Sequence, residues 1–255
     1  MNKRQEEIIT YLYRFRFLTR FQLQSLMQQK YYSRLVIWLN DLTKNNYIKR
    51  FYYHNLTNSP AIYSIDNQGR KYLKDNSERL KIKTKSLDKV WRDEKLTTQF
   101  RFHCLTLADV YVSLLETIKK SNAKLAFYTK NDLQNIKYLI NPHPDAYFII
   151  KELSGVKKYY FLDIFDYFAN NQKFNKRVQK YLDYFDDSYW QDQTGCNFPE
   201  VIFVTSDERS YSYLNWYLPK VLEDNDDVDF YLISKQQIKT NGFNKASLKK
   251  MLPED

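Results

Sequence analysis

The sequence is poor in the residues that build many common functional sites. Its two cysteines, Cys104 and Cys196, are too few for a disulfide scaffold or a zinc site. With only four glycines, it has neither a P-loop nor a dinucleotide-binding glycine motif, so we expect no nucleotide cofactor. The three histidines do not stand at metal-ligand spacing. No GxSxG motif and no Cys/His pairing is present to suggest covalent catalysis.

Long apolar runs are also missing. Charged residues interrupt the first apolar segment, and no span of about 18 apolar residues occurs, so the sequence predicts neither a signal peptide nor a membrane helix. We therefore expect a cytoplasmic protein with reduced thiols and no membrane partner.

Basic and aromatic residues are plentiful. The net charge is +10, and 17% of the residues are aromatic, including 23 tyrosines. Residues 1–100 hold 20 Lys and Arg against 9 Asp and Glu, whereas residues 101–255 hold 20 against 21. The whole excess therefore lies in the first two-fifths of the chain, which indicates a basic module that meets a polyanion. The tyrosines are consistent with a binding surface or, equally, with a biased coding composition.

The first module has the pattern of a winged helix-turn-helix. Apolar residues at helical spacing predict a helix over 4–15, and a capping box of Thr19 and Gln22 starts a second helix over about 20–28. Leu35, Leu39 and Leu42 form the core-facing stripe of a third helix. The segments YIKRFYYH and AIYSI then predict a hairpin, the wing. We predict a DNA-binding domain over 1–76, a basic linker over 77–95, a second domain over 96–240 and a C-terminal tail over 241–255.

In a winged helix the third helix enters the major groove, and the wing contacts phosphate or the minor groove. The candidate DNA-binding residues of the third helix and the wing are Lys30, Tyr31, Ser33, Arg34, Trp38, Arg50, Tyr52 and His54. Double-stranded DNA is the expected partner, although a winged helix can also bind protein.

The second module reads as a small α/β domain with the order α β β β α β α β. This order is that of the PD-(D/E)XK nuclease-like fold, in which two carboxylates on adjacent strands hold a divalent ion such as Mg²⁺. Asp145 and Asp163 stand at those two positions. Phe165, however, replaces the lysine expected two residues after the second carboxylate. Arg177 on the following helix could supply the missing positive charge, and Glu116 could add a third carboxylate.

Eight segments spread along most of the chain are informative when taken in order, namely LTRFQLQSL, RLVIWLNDLTKNNYIKR, IYSIDNQGRKYL, FHCLTLADV, PDAYFII, YYFLDIF, RVQKYLDYF and FPEVIFVTSDERS. In this order they resemble the replication-relaxation family of plasmid and mobile-element proteins. The resemblance implies a winged helix followed by a nuclease-like domain, with DNA as the partner. It places Asp145 at the family's PD position, Asp163 at its usual glutamate, and Arg177 where a lysine is common. Phe165 stands where the family often has an aspartate.

Two classes of function remain open. In the first, the winged helix reads duplex DNA, and the second domain is non-catalytic and dimerises or binds a replication or mobilisation protein. A transcriptional repressor is a variant of this function. In the second, the protein is a Mg²⁺-dependent endonuclease or nickase that uses Asp145 and Asp163. The replacement of the lysine by Phe165 favours the first.

Overall fold

The computed structural model describes residues 1–52, 60–87, 96–134, 136–166, 170–225 and 227–254. The chain divides into two compact units, Met1–Val112 and Ser113–Asp255. Both contain helices and β-sheet, so the protein has the predicted α+β class. None of the helices in these ranges combines the length and the apolar character needed to cross a bilayer.

The first unit begins with helices and a small sheet. In chain order its elements are α1 (Lys3–Phe15), β1 (Leu18–Thr19), α2 (Arg20–Leu26), α3 (Tyr32–Lys44), β2 (Ile48–Phe51) and β3 (Ile62–Ile65). The strands lie in the order β1–β3–β2, and both pairs are antiparallel. Strands β2 and β3 thus form the predicted hairpin, while its tip, residues 53–59, lies outside the described residues.

Helix α2 begins where the sequence predicts, because Thr19 and Gln22 form a capping box. The Thr19 hydroxyl accepts from the Gln22 backbone N–H at 3.2 Å, and the Gln22 side chain accepts from the Thr19 N–H at 2.9 Å. In α3 the predicted stripe of Leu35, Leu39 and Leu42 is buried. The helices that follow in the described residues are α4 (Asn67–Asp75), α5 (Ser77–Leu80), α6 (Thr84–Leu87) and α7 (Thr98–Ser121), of which residues 98–112 of α7 belong to the first unit. The predicted linker 77–95 contains α5 and α6, and its residues 88–95 lie outside the described residues.

The second unit is built on a six-stranded mixed sheet. Its elements are β4 (Lys124–Thr129), α8 (Lys130–Leu133), β5 (Ala146–Lys151), β6 (Lys157–Phe165), α9 (Asn171–Asp186), α10 (Tyr189–Thr194), β7 (Glu200–Thr205), α11 (Glu208–Leu222), β8 (Phe230–Ser234), α12 (Lys235–Asn241), a short 3-10 helix (Lys245–Ser247) and β9 (Lys249–Lys250). The six strands lie side by side in the same order as in the sequence, from β4 to β9. Strands β4–β5–β6 form an antiparallel meander, β6–β7–β8 are parallel, and β9 pairs antiparallel with β8. The predicted order of strands is present, and β9 adds a strand inside the predicted tail.

The centre of this sheet is covered on both faces. Val201, Ile202, Phe203 and Val204 of β7 are each fully buried, as the continuous apolar run predicts for such a strand. On the face that carries α9, aromatic side chains dominate, and Phe161 packs against Trp190 at a ring-centroid distance of 5.5 Å. The side chain of Asp163 therefore enters an aromatic core.

Candidate functional site

Asp145 and Asp163 lie opposite each other at the end of the β5–β6 ladder. The last paired residues are Ala146 and Leu162, and the next residue on each strand is one of the aspartates. The backbone N–H of Asp145 donates to Asp163 Oδ1 at 3.4 Å, and that of Ile164 donates to Asp145 Oδ2 at 2.9 Å. The carboxylates thus replace backbone acceptors where the strand pairing ends. Both residues are buried, with 9% and 6% of their surface exposed.

Arg177 of α9 reaches this pair from the adjacent helix. Its Nε donates to Asp163 Oδ2 at 2.5 Å, and its Nη1 donates to the carbonyl of Pro142 at 2.6 Å. Its Nη2 donates at 2.9 Å to the hydroxyl of Tyr181, one helical turn further along. That hydroxyl in turn donates to Asp163 Oδ2 at 2.7 Å. We call Asp145, Asp163, Arg177 and Tyr181 the carboxylate–arginine cluster.

The cluster holds its charges deep in the second unit. Burial opposes the positive charge of Arg177, but the adjacent Asp163 carboxylate more than offsets this and raises the pKa of Arg177. Burial, followed by the negative charge of Asp163, raises the pKa of the fully buried Tyr181 well above its usual range. At neutral pH the cluster therefore contains a guanidinium and a neutral phenol, which are the forms that donate to a carboxylate.

The oxygens of both carboxylates already have donors. Asp163 Oδ1 accepts from a backbone N–H, and its Oδ2 accepts from Arg177 and Tyr181. Asp145 Oδ2 accepts from a backbone N–H, and its Oδ1 lies 3.4 Å from Nζ of Lys130, whose side chain is 56% exposed. Mg²⁺ needs carboxylate lone pairs directed at the ion, so the predicted metal ligands fit an ion only if these donors move. In the described ranges, no group of three or more His, Cys, Asp or Glu side chains is arranged to hold a metal ion.

Two further positions bear on the catalytic prediction, Glu116 and Phe165. Glu116 is exposed on α7. Phe165 is buried, and its ring packs edge-on against that of Phe174 at a centroid distance of 4.5 Å and at a tilt against that of Phe203 at 5.6 Å. The position that would hold a catalytic lysine is therefore part of the aromatic core.

The predicted DNA-binding residues lie along one segment of the first unit. Exposed side chains at the start of α3 are those of Lys30, Tyr31, Ser33 and Arg34, whereas Trp38 is half-buried. Arg50 on β2 is half-buried and donates to the Asn40 side chain of α3 at 2.5 Å and to the Tyr52 hydroxyl at 3.2 Å. Tyr52 is exposed, and His54 lies outside the described residues. Helix α3 and the first strand of the hairpin are thus joined by Arg50.

Sequence reasoning missed three residues that neighbour this segment, namely Arg20, Phe21 and Tyr32. Arg20 Nη1 donates to the Tyr32 hydroxyl at 2.5 Å, and Phe21 is 51% exposed on α2. The available signal was that Phe21 lies off the apolar stripe of α2. Among the cluster residues, the role of Tyr181 was also missed, although it stands four residues after Arg177, the spacing that brings side chains together on a helix.

A comparison with known families gives a match that spans most of the chain. The matching family is described as replication-relaxation, and the match covers residues 9–201. The comparisons with curated proteins and with solved structures found no match. Since the family match covers well over half of the sequence, the chain belongs to the replication-relaxation family, which is associated with plasmid and mobile-element replication or relaxation.

Proposed function

We propose that the protein binds duplex DNA during plasmid or mobile-element replication or mobilisation, and that its first unit acts as a winged helix. One observation carries the proposal: the exposed start of α3 presents Lys30 and Arg34 beside a hairpin that Arg50 joins to the same helix. In a winged helix these are the groups that enter the major groove and contact the adjacent backbone. The charge excess of the first hundred residues supports the same partner.

In this proposal the second unit is not a nuclease. The carboxylate–arginine cluster supports a structural role for the two aspartates, since Arg177 neutralises Asp163 and a backbone N–H binds each carboxylate. The second unit then dimerises or binds a replication or mobilisation protein.

The alternative is a metal-dependent endonuclease. The direct opposition of Asp145 and Asp163, with a basic side chain beside them, favours this alternative. It requires Arg177 to release Asp163 so that an ion can bind.

The duplex-binding proposal is tested by replacing Lys30 and Arg34 together with alanine. We expect affinity for duplex DNA to fall about tenfold or more, and the salt dependence of binding to decrease by roughly one unit of slope for each lost phosphate contact. The matched control is Lys44→Ala with Lys71→Ala, which removes the same charge from two exposed positions at the end of α3 and on α4. Fluorescence anisotropy at several salt concentrations measures both effects. If the two double variants bind equally well, α3 does not read DNA.

The nuclease alternative is tested with supercoiled DNA in Mg²⁺ or Mn²⁺. Cleavage by the wild type that Asp163→Asn abolishes, in a variant that remains folded by circular dichroism, would establish the enzyme. No cleavage, or cleavage that survives Asp163→Asn, rules out catalysis by these carboxylates.

A further inference from the structure

Four aromatic side chains around α2 and α3 and at the end of β2 are exposed to solvent. Phe21 is 51% exposed, Tyr31 59%, Tyr32 41% and Tyr52 58%. We call these four residues, together with Arg20 and Arg50, the aromatic–arginine patch. A buried aromatic ring stabilises a core, whereas several exposed rings on neighbouring residues are typical of a binding surface.

Cations lie against the rings of this patch. The guanidinium of Arg20 lies 4.8 Å from the ring centre of Phe21 and 5.1 Å from that of Tyr32. Nζ of Lys30 lies 5.9 Å from the ring centre of Tyr31. These contacts position the rings, because a cation over a ring face is attracted to it. Much of each ring remains open to solvent.

The two halves of the patch are neighbours. Arg50 lies 5.4 Å from the ring centre of Tyr63 and donates to the Tyr52 hydroxyl. In the small sheet Tyr63 pairs with Arg50 on one side and with Leu18 on the other, and Arg20 follows Leu18 by two residues. The start of α2 therefore lies beside the β2–β3 hairpin.

Negative charge is almost absent from this part of the chain. Asp41 is the only acidic residue among residues 8–65, which contain eight Lys and Arg. The acidic side chain lies at the C-terminal half of α3, where it accepts a hydrogen bond from Gln5 at 2.5 Å. The patch therefore matches a partner that carries negative charge and flat apolar rings together.

Unpaired DNA bases have this chemistry. In a duplex the faces of the bases are covered by their neighbours, so a protein ring reaches only groove edges and backbone. Opened strands present base faces, which stack on exposed aromatic side chains while cations bind the phosphates. We propose that the aromatic–arginine patch binds unpaired bases next to the duplex held by α3. This inference rests on the proposed DNA-binding function and adds a preference for locally opened DNA.

The test compares two labelled probes of equal length, a perfect duplex and the same duplex with a run of mismatched bases at its centre. Full-length wild-type protein should bind the mismatched probe more tightly, by about tenfold for each base that stacks. Phe21→Leu keeps an apolar side chain but removes the ring, and it should reduce affinity for the mismatched probe about tenfold. It should leave affinity for the perfect duplex within about twofold of wild type.

Two controls define the role of the ring. Phe21→Tyr retains a ring and should keep the preference. Ile37→Ala shortens another exposed apolar side chain, 64% exposed on α3, that has no ring to stack. It should also keep the preference.

The outcomes separate this inference from the function on which it rests. Equal affinity of the wild type for both probes overturns the patch proposal alone and is the result expected if the patch binds a protein instead. A preference that Phe21→Leu does not reduce also overturns it. Unchanged duplex affinity after removal of Lys30 and Arg34 overturns the duplex-reading function, whatever the preference for mismatched DNA.

Discussion

Replacing Arg177 with methionine tests whether the carboxylate–arginine cluster holds the second unit together. Methionine fills much of the same volume but donates no hydrogen bond, so Asp163 Oδ2 would retain only the Tyr181 hydroxyl as a donor. The carbonyl of Pro142 would also lose the donor it now has at 2.6 Å. The variant therefore leaves a buried carboxylate without its cation.

The expected magnitude follows from the burial of the pair. Arg177 and Asp163 have side chains that are 10% and 9% exposed, so solvent screens their interaction weakly. Removing one partner of such a pair costs about 3–5 kcal/mol, because the other charge stays buried and uncompensated. This is a large share of a typical domain's stability of about 5–15 kcal/mol. We expect the unfolding temperature of Arg177→Met to fall by about 10 °C or more.

Chemical and thermal denaturation, followed by circular dichroism, measure this loss. Lys176→Met is the matched control, since it removes a neighbouring cation from the exposed face of α9, and it should change stability by less than about 1 kcal/mol. Adding Asp163→Asn to Arg177→Met should recover part of the loss, because a neutral amide remains and still has an oxygen to accept from Tyr181. The cluster is not a stabilising ion pair if Arg177→Met is as stable as Lys176→Met. The same conclusion follows if Asp163→Asn lowers the stability of Arg177→Met by as much as it lowers that of the wild type.

Two further predictions concern the first unit. Hydrogen bonds from Arg79 lower the pKa of Glu6 from 4.5 to about 2, so its carboxylate contributes stability above pH 4.5 that is lost as the pH falls toward 2. Glu6→Gln should therefore reduce the free energy of urea unfolding at neutral pH, and a difference that stays constant down to the acid limit would contradict this. A Cβ on Gly69 would lie 2.2 Å from the backbone oxygen of Tyr47, so Gly69→Ala should cost roughly 1–3 kcal/mol or more in the same assay. Wild-type stability in Gly69→Ala would show that the α4 backbone shifts freely.

Local chemistry explains which parts of the fold the sequence could predict. The capping box of Thr19 and the stripe of Leu35, Leu39 and Leu42 depend on residues a few positions apart, and the structure confirms both. The antiparallel β5–β6 pair follows from two apolar runs joined by a short turn, and the burial of β7 follows from its continuous apolar run. Strands β1 and β9 have two residues each, which is too short for a periodic signal, so they depend on pairing with distant strands.

The candidate site could be predicted only in part, because its contacts join residues distant in sequence. The two aspartates are predictable from their strands, but the direct contact of Arg177 with Asp163 depends on how α9 packs against the sheet. Sequence spacing could only place Arg177 near the site. Exposure was harder still to predict: the position of Phe21 relative to the buried Leu23 and Leu26 of α2 indicates an outward ring, but composition alone does not separate such rings from the many buried ones.

Phe165 and Arg177 both act against the binding of a metal ion at Asp145 and Asp163. A lysine at position 165 would enter a space bounded by the rings of Phe174 and Phe203, where burial disfavours its charge. Arg177, three residues after Phe174 on the same helix, directs its charge at Asp163 and leaves that carboxylate fewer lone pairs for an ion. The same face of α9 thus supplies both the ring that packs on Phe165 and the cation that neutralises Asp163. A metal site at these positions would require changes on the strand and on the helix together, which supports assigning the DNA contacts of the proposed function to the first unit.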